Sequence, residues 1–231
     1  MARPIPGGFL LAIEGIDGSG KSLQAAAVAA VLRDRGLDCI VTHEPTQGPW
    51  GMRLRESARS GRLSPAEELQ AFIADRKEHV RDVIRPGLEA GRVVITDRYY
   101  FSTVAYQGAR GLEPAELLRI NEAFAVEPHL LVVIDLDAET GLSRIGRRGD
   151  APNYFESLAQ LTRCREIFLS LQKPYLVRVD GHAAPDKIRD QILVAFSRAA
   201  VDLIARNASL APCAKLAAIL ALHGAALAGG C

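Results

Sequence analysis

A three-layer α/β/α fold around a five-stranded parallel sheet is what the sequence predicts, and three observations carry that prediction. Short apolar runs alternate with longer helix-patterned stretches along almost the whole chain. Such alternation implies parallel strands joined by helical crossovers, with both sheet faces covered. The first apolar run also leads straight into Gly15, Ile16, Asp17, Gly18, Ser19, Gly20, Lys21 and Ser22. That segment fits G-x-x-x-x-G-K-[ST], with a strand before it and a helix after it, the context a phosphate-binding P-loop requires. Finally, the segments rich in chemistry, residues 15–22, 44–48 and 97–106, each follow a strand. Ligands of open parallel sheets sit beyond the carboxyl ends of the strands.

The elements follow in order. Residues 9–13, Phe-Leu-Leu-Ala-Ile, read as a buried strand. Residues 22–35 read as a helix with Leu23, Ala27, Val31 and Leu32 near one face and Gly36 as its stop. A second short strand spans 39–42. Residues 44–49 carry two prolines and a glycine and read as a loop. Residues 65–91 read as mostly helical, broken at Arg85-Pro86-Gly87. A third strand covers 92–96 and stops at Asp97. Residues 114–126 form a helix with Pro114 in its first turn. A strand at 130–134, a helix at 140–147, a glycine- and proline-containing loop at 148–153, a helix at 157–171, a strand at 175–179 and a helix at 185–205 complete the pattern. We divide the chain into one domain, residues 1–206, with a closing loop at about 144–156, and an alanine- and leucine-rich extension, residues 207–231.

Composition excludes several classes. The chain has 231 residues, 48% hydrophobic and 24% charged, as expected of a soluble globular domain. Its 28 basic and 27 acidic residues leave a net charge of +1, which gives no bulk attraction to nucleic acid or membrane. Cys39, Cys164, Cys213 and Cys231 form no paired metal-binding motif. The first eight residues are too few and too rich in proline for a secretory signal, so reduced thiols in the cytoplasm are expected.

The residues that carry chemistry can be assigned from their types and spacing. The P-loop glycines let backbone N–H groups turn around phosphate oxygens, helped by the N-terminal end of the following helix. Lys21 should reach the β- and γ-phosphates and Ser22 should ligate Mg²⁺. Asp97 can hold the same cation, and Arg98 can clamp phosphates with its planar fork of donors. The competing reading of Asp97-Arg98 is a salt bridge at a strand end. Arg144, Arg147 and Arg148 cluster around two glycines and could close over a triphosphate, or else form a solvated basic helix end. Phe72 and Arg76 are four apart on a helix and share a face, where an aromatic plate and a guanidinium could meet a flat base. Phe72 is otherwise a core residue.

On these residues the chain resembles the thymidylate kinase family of P-loop nucleoside monophosphate kinases, over roughly residues 9–196. The markers are Glu14 through Ser22, then Glu44-Pro45-Thr46, then Phe72-x-x-x-Arg76, then Asp97-Arg98-Tyr99-Tyr100-Phe101-Ser102-Thr103-Val104-Ala105-Tyr106-Gln107-Gly108. The resemblance implies ATP and dTMP as substrates, Mg²⁺, and a homodimer. It implies that Asp17 senses the acceptor's 3′-hydroxyl, Phe72 stacks on thymine and Arg76 bonds its O4. It places Thr103 at the pyrimidine N3 edge and Tyr106 against the sugar 2′ position, with Ser102 and Gln107 in the same acceptor site. Arg98 would bridge the two phosphates, Arg55 would help hold the acceptor monophosphate, and Arg144 would bind ATP. Residues 153–156, Asn-Tyr-Phe-Glu, fall where the family's closing loop ends.

Two departures stand out. His43 occupies the position before Glu-Pro where the family often has arginine. The P-loop carries no arginine, so the catalytic cation is expected from the 144–148 segment, as either Arg147 or Arg148. The nearest rival is another small-acceptor kinase: a different monophosphate kinase, or a deoxynucleoside kinase. The acceptor of the latter is a neutral hydroxyl that needs a base, and Glu44 stands where such a carboxylate would serve. A regulatory NTPase or a silent binding module fits less well, given Lys21, Ser22, Asp97 and Arg98.

Overall fold

The computed structural model describes residues 4–148, 157–207 and 210. Five strands, β1 (Phe9–Glu14), β2 (Cys39–His43), β3 (Val93–Asp97), β4 (Leu130–Asp135) and β5 (Leu176–Asp180), form one sheet in the order β2-β3-β1-β4-β5. All pairings are parallel. Successive strand residues point to opposite faces, and the two faces build two cores. On one, Phe9, Leu11, Ile13, Val93, Ile95, Val132 and Ile134 pack with helices α1 (Lys21–Asp34) and α9 (Pro185–Arg206). On the other, Leu10, Ala12, Val94, Leu131 and Val133 pack with α5 (Tyr100–Gly108), α6 (Pro114–Glu122) and α8 (Leu158–Ser170). The three-layer parallel architecture expected from the sequence is therefore present.

Two helices and one join depart from the expected elements. Helix α2 (Pro49–Ser60) lies outside the expected elements; it is mostly polar and buries only Gly51, Leu54 and Ser57. Pro49 starts it in the position where a missing N–H costs nothing. Helix α5 also lies outside the expected elements; all nine of its residues are buried, the polar Ser102, Thr103 and Gln107 included. The join concerns the expected break at Arg85-Pro86-Gly87. Helix α3 (Pro65–His79) instead runs through a π-helical turn, Val80–Ile84, directly into α4 (Arg85–Glu89). Proline crowds the carbonyl four residues back in a regular helix. Here the Arg85 N–H reaches back five residues to Val80, and Pro86 falls in the first turn of α4.

The register brings the chemistry together. Ile13 of β1 and His43 of β2 both lie level with Asp97 of β3. The P-loop, the loop after β2 and the turn after β3 thus leave the sheet at one edge. Helix α7 (Ala138–Arg148) closes the site from the β4 side. Its Gly141 meets the P-loop so closely that a Cβ at Gly18 would lie 2.3 Å from the Gly141 carbonyl oxygen, and Gly18 has φ +81°. No larger residue fits at that contact.

Candidate active site

The P-loop side is set by burial and by a shortage of protein partners. Lys21 is buried, and its Nζ donates to the Ile16 carbonyl at 2.8 Å, curling back over the loop. Burial, with Arg98 nearby, pulls its pKa down to about 8. An incoming phosphate would relieve that penalty. Ser22 Oγ donates to Asp97 Oδ2, and the other Asp97 oxygen, Oδ1, is buried without a hydrogen-bond partner. A hydroxyl beside a half-satisfied carboxylate is a fitting pair of hard oxygen donors for Mg²⁺, which keeps most of its other positions for water and phosphate.

Arg98 stands between the P-loop and the acceptor side. Its backbone is in the left-handed region at φ 68°, rare for a residue with a side chain. Two bonds hold it there: Arg98 N–H donates to the Ile13 carbonyl at 3.0 Å, and Thr96 Oγ1 donates to the Arg98 carbonyl at 2.6 Å. The guanidinium donates to Asp17 Oδ1 and to Ser102 Oγ, the latter at 3.1 Å. It also lies 5.1 Å from the centre of the Tyr106 ring. The Tyr106 hydroxyl donates to Asp17 Oδ2 at 2.7 Å. The strand-end salt bridge weighed against a functional Arg98 does exist, but its partner is a P-loop residue.

Asp17, Arg55, Phe72, Arg98, Ser102 and Tyr106, with Pro45, Leu54 and Ala58, line one cavity of about 180 Å³. Phe72 is half-buried and offers this cavity an aromatic wall, so it is not sealed in a core. Arg55 lines it while donating to the Pro45 and Thr46 carbonyls. Asp75 accepts from the Thr46 N–H at 2.8 Å and from Thr46 Oγ1 at 2.6 Å, pinning the same loop from α3.

Behind the cavity lies a buried ionic network. Glu44 accepts from Arg76 Nε at 2.9 Å and Nη2 at 2.6 Å, and pairs with His79 Nδ1 at 2.9 Å. Arg76 also donates to Asn121 Oδ1 at 2.6 Å and to Thr103 Oγ1 at 3.0 Å. Burial alone would raise the Glu44 carboxyl, but Arg76 and His79 outweigh it and hold it below the usual carboxylate range. A carboxylate fixed in this way is poorly suited to take a proton from a neutral hydroxyl. Arg76 and Thr103 are both about 1% exposed and stand behind the cavity wall. Gln107 is fully buried, and among the described residues both ends of its amide lack a hydrogen-bond partner. Like Arg76 and Thr103, it is not part of the cavity lining.

On the β4 side, Arg144 donates to the Gly181 carbonyl at 3.0 Å and Arg147 is exposed, both beyond the Gly18–Gly141 contact. The Arg148 side chain, the 149–156 part of the expected closing loop with Asn153, Tyr154, Phe155 and Glu156, and residues 208–209 and 211–231 of the extension with Cys213 and Cys231 lie outside the described residues. His43 does not replace the missing arginine as a cation. Burial, then Arg55, lowers its pKa, so it is neutral at pH 7.

Residues not singled out from the sequence complete the site. Asp75, His79 and Asn121 gave no signal, because one polar residue on a helix does not reveal that it faces inward. Glu14 belongs to the motif, but its complete burial shows only in the fold.

A phosphate-binding loop, a cation-ready Ser-Asp pair and a separate aromatic-walled cavity, bridged by one arginine, define a P-loop nucleoside monophosphate kinase. The thymidylate kinase family profile matches residues 13–192. The thymidylate kinase of Xanthomonas campestris pv. campestris strain B100 is 50% identical over 186 residues, 80% of this chain and 82% of that one. That of Xanthomonas oryzae pv. oryzae strain PXO99A is 47% identical over 212 residues, 92% of this chain and 93% of that one. That of Xylella fastidiosa strain M12 is 49% identical over 184 residues, 80% and 84% of the two chains. The chain belongs to the thymidylate kinase family.

Proposed function

We propose that this chain transfers the γ-phosphoryl group of ATP to dTMP, giving ADP and dTDP on the route to dTTP. The observation that carries this reading is the placement of Arg98. One guanidinium, bonded to Asp17 and Ser102, faces both the P-loop and the cavity walled by Phe72. The acceptor's attacking atom is a phosphate oxygen that is already anionic at neutral pH, so no general base is needed. The residues then supply alignment and charge neutralisation. The P-loop N–H groups and Lys21 hold the triphosphate. Arg98 draws the two phosphates together, Arg55 steadies the acceptor phosphate, and Arg147 or Arg148 adds charge from α7. Ser22 and Asp97 would hold Mg²⁺, which would supply charge neutralisation on the transferring phosphates.

On the acceptor side, Phe72 would stack on the base. Gln107, next in the chain to the Tyr106 that lines the cavity, would meet the base's polar edge with its unpaired amide. Tyr106, fixed by Asp17, would crowd a ribose 2′-hydroxyl. Arg144, with the Gly181 loop, would flank the ATP base. Residues 1–206 would carry the activity, as a homodimer in the cytoplasm. Among the described residues no helix is long and apolar enough to cross a membrane.

The deciding assay gives purified protein ATP and Mg²⁺ with dTMP, dUMP, dCMP, UMP or thymidine, and scores each product. dTMP should be phosphorylated fastest. A preference for thymidine would replace this reading with a nucleoside kinase. Phe72→Ala should raise the KM for dTMP about tenfold or more, the usual worth of one base–aromatic stack, and leave the KM for ATP unchanged. Equal weakening of both substrates would make Phe72 a structural residue.

A further inference from the structure

Glu14 ends a strand whose other residues are all apolar, and it is completely buried. A buried carboxylate costs several kcal/mol unless hydrogen bonds compensate. Glu14 accepts three. Its Oε1 takes the Tyr99 N–H at 2.7 Å and the Ser102 N–H at 3.0 Å, and its Oε2 takes the Ser102 hydroxyl at 2.6 Å. These donors are not spread over the fold. They all lie where α5 begins, and α5 has no side-chain cap of its own. Glu14 is therefore the cap of α5, supplied by a distant strand, and an anion is favoured at that helix end.

The Ser102 hydroxyl carries the contact further. It donates to Glu14 and accepts from Arg98 Nη1. A continuous chain thus runs from Arg98 through Ser102 to the carboxylate that immediately precedes the P-loop. Tyr99 N, on the other side of Glu14 Oε1, fixes the residue that follows the left-handed Arg98 backbone. The guanidinium and the main chain of Arg98 are both referred to the same carboxylate.

We infer that Glu14 is a positioning residue for Arg98, acting through Ser102, and that it locks the start of the acceptor-side helix to the strand carrying the phosphate-binding loop. Glu14 lines neither the cavity nor the P-loop, so it touches neither nucleotide. Its effect falls on the geometry in which Arg98 meets the transferring group. The charged groups that act on it are Arg98, in the turn that leads into α5, and Lys21, at the end of the P-loop. Burial raises its pKa to about 7 against the pull of Ser102, Arg98 and the two N–H groups, which marks the site as tightly enclosed.

This inference rests on the reading of Arg98 as the residue that bridges the phosphates. The test is a double-mutant cycle of Glu14→Gln and Ser102→Ala, followed by steady-state kinetics and thermal melting. Glutamine keeps an oxygen for the two N–H groups but faces Ser102 with an amide donor, so the relay to Arg98 is broken while the fold is kept. Each single variant should lower kcat about tenfold, and Glu14→Gln, which lines no nucleotide site, should leave both KM values within about threefold of wild type. The double variant should also lose about tenfold, because the second change removes a link already cut. Losses that multiply to about a hundredfold, a kcat for Glu14→Gln within twofold of wild type, or an effect confined to KM would each overturn the inference. Should Glu14→Gln not yield folded protein, Glu14→Asp, which keeps a carboxylate but withdraws it, takes its place in the cycle with the same expected pattern. Arg98→Ala in the same assay separates the two levels. If Arg98→Ala retains turnover, the phosphate-bridging reading fails. If it abolishes turnover and the cycle is additive, only the role of Glu14 fails.

Discussion

Replacing Lys21 by alanine is expected to lower kcat by about 10³-fold or more, the scale on which phosphoryl-transfer enzymes lose activity when a cation at the transferring group is removed. The fold should survive, and in the absence of nucleotide it should be at least as stable as wild type. Lys21 is buried, among the described residues its Nζ has only the Ile16 carbonyl as an acceptor, and burial pulls its pKa down to about 8. A group in that condition is held for a ligand at the expense of the empty protein, a common arrangement where activity and stability compete. Thermal melting with and without ATP reads this directly. Wild type should gain stability as ATP rises, following the mass-action relation for a ligand that binds only the folded state. The alanine variant should start at the same melting temperature or above it and gain little. A variant that still turns over near the wild-type rate would remove the P-loop from the mechanism.

The donor half of the site was legible because its signals are local. Eight consecutive residues of the P-loop specify a backbone shape, and the apolar run before them and the helical pattern after them confirm the context. Asp97 and Arg98 were legible for a related reason, since they end an apolar run that can only be a buried strand. The sheet followed from alternation alone, and the register that sets Ile13 and His43 level with Asp97 put the three loaded segments at one edge.

The acceptor half was less legible, and the physical causes differ from residue to residue. Helix α5 carries Ser102, Thr103, Tyr106 and Gln107 and is wholly buried, polar side chains included. Helix α2 carries Arg55, is mostly polar and buries only Gly51, Leu54 and Ser57. At nine residues α5 is also shorter than the window of about 11–18 residues over which a helical period is read. The motif that named these residues did so by resemblance, without their structure. Glu14 belongs to that motif, but the motif does not say what its carboxylate does. Its partners are 85 and 88 positions away in the chain, and no spacing rule reaches that far.

Arg76 shows how a role read from a motif can be incomplete. The resemblance assigns it to the O4 of thymine. The structure also gives it three protein partners, Glu44, Thr103 and Asn121, and stacks it 5.8 Å from the centre of the Tyr99 ring. Arg76→Ala should therefore act first on stability. It leaves Glu44 buried with His79 as its remaining ionic partner, and removing one member of a buried ion pair costs about 3–5 kcal/mol. In a chain of this length that corresponds to a fall in melting temperature of about 10 °C. Adding Glu44→Gln should recover part of the loss, because the unpaired charge is then gone, whereas a direct contact with the base cannot be recovered in that way. In the double variant the melting temperature should rise towards wild type while the KM for dTMP stays high. If instead both return together, Arg76 acts only by holding the cavity wall in place, and recognition of the base edge passes to Gln107, whose amide has no other partner.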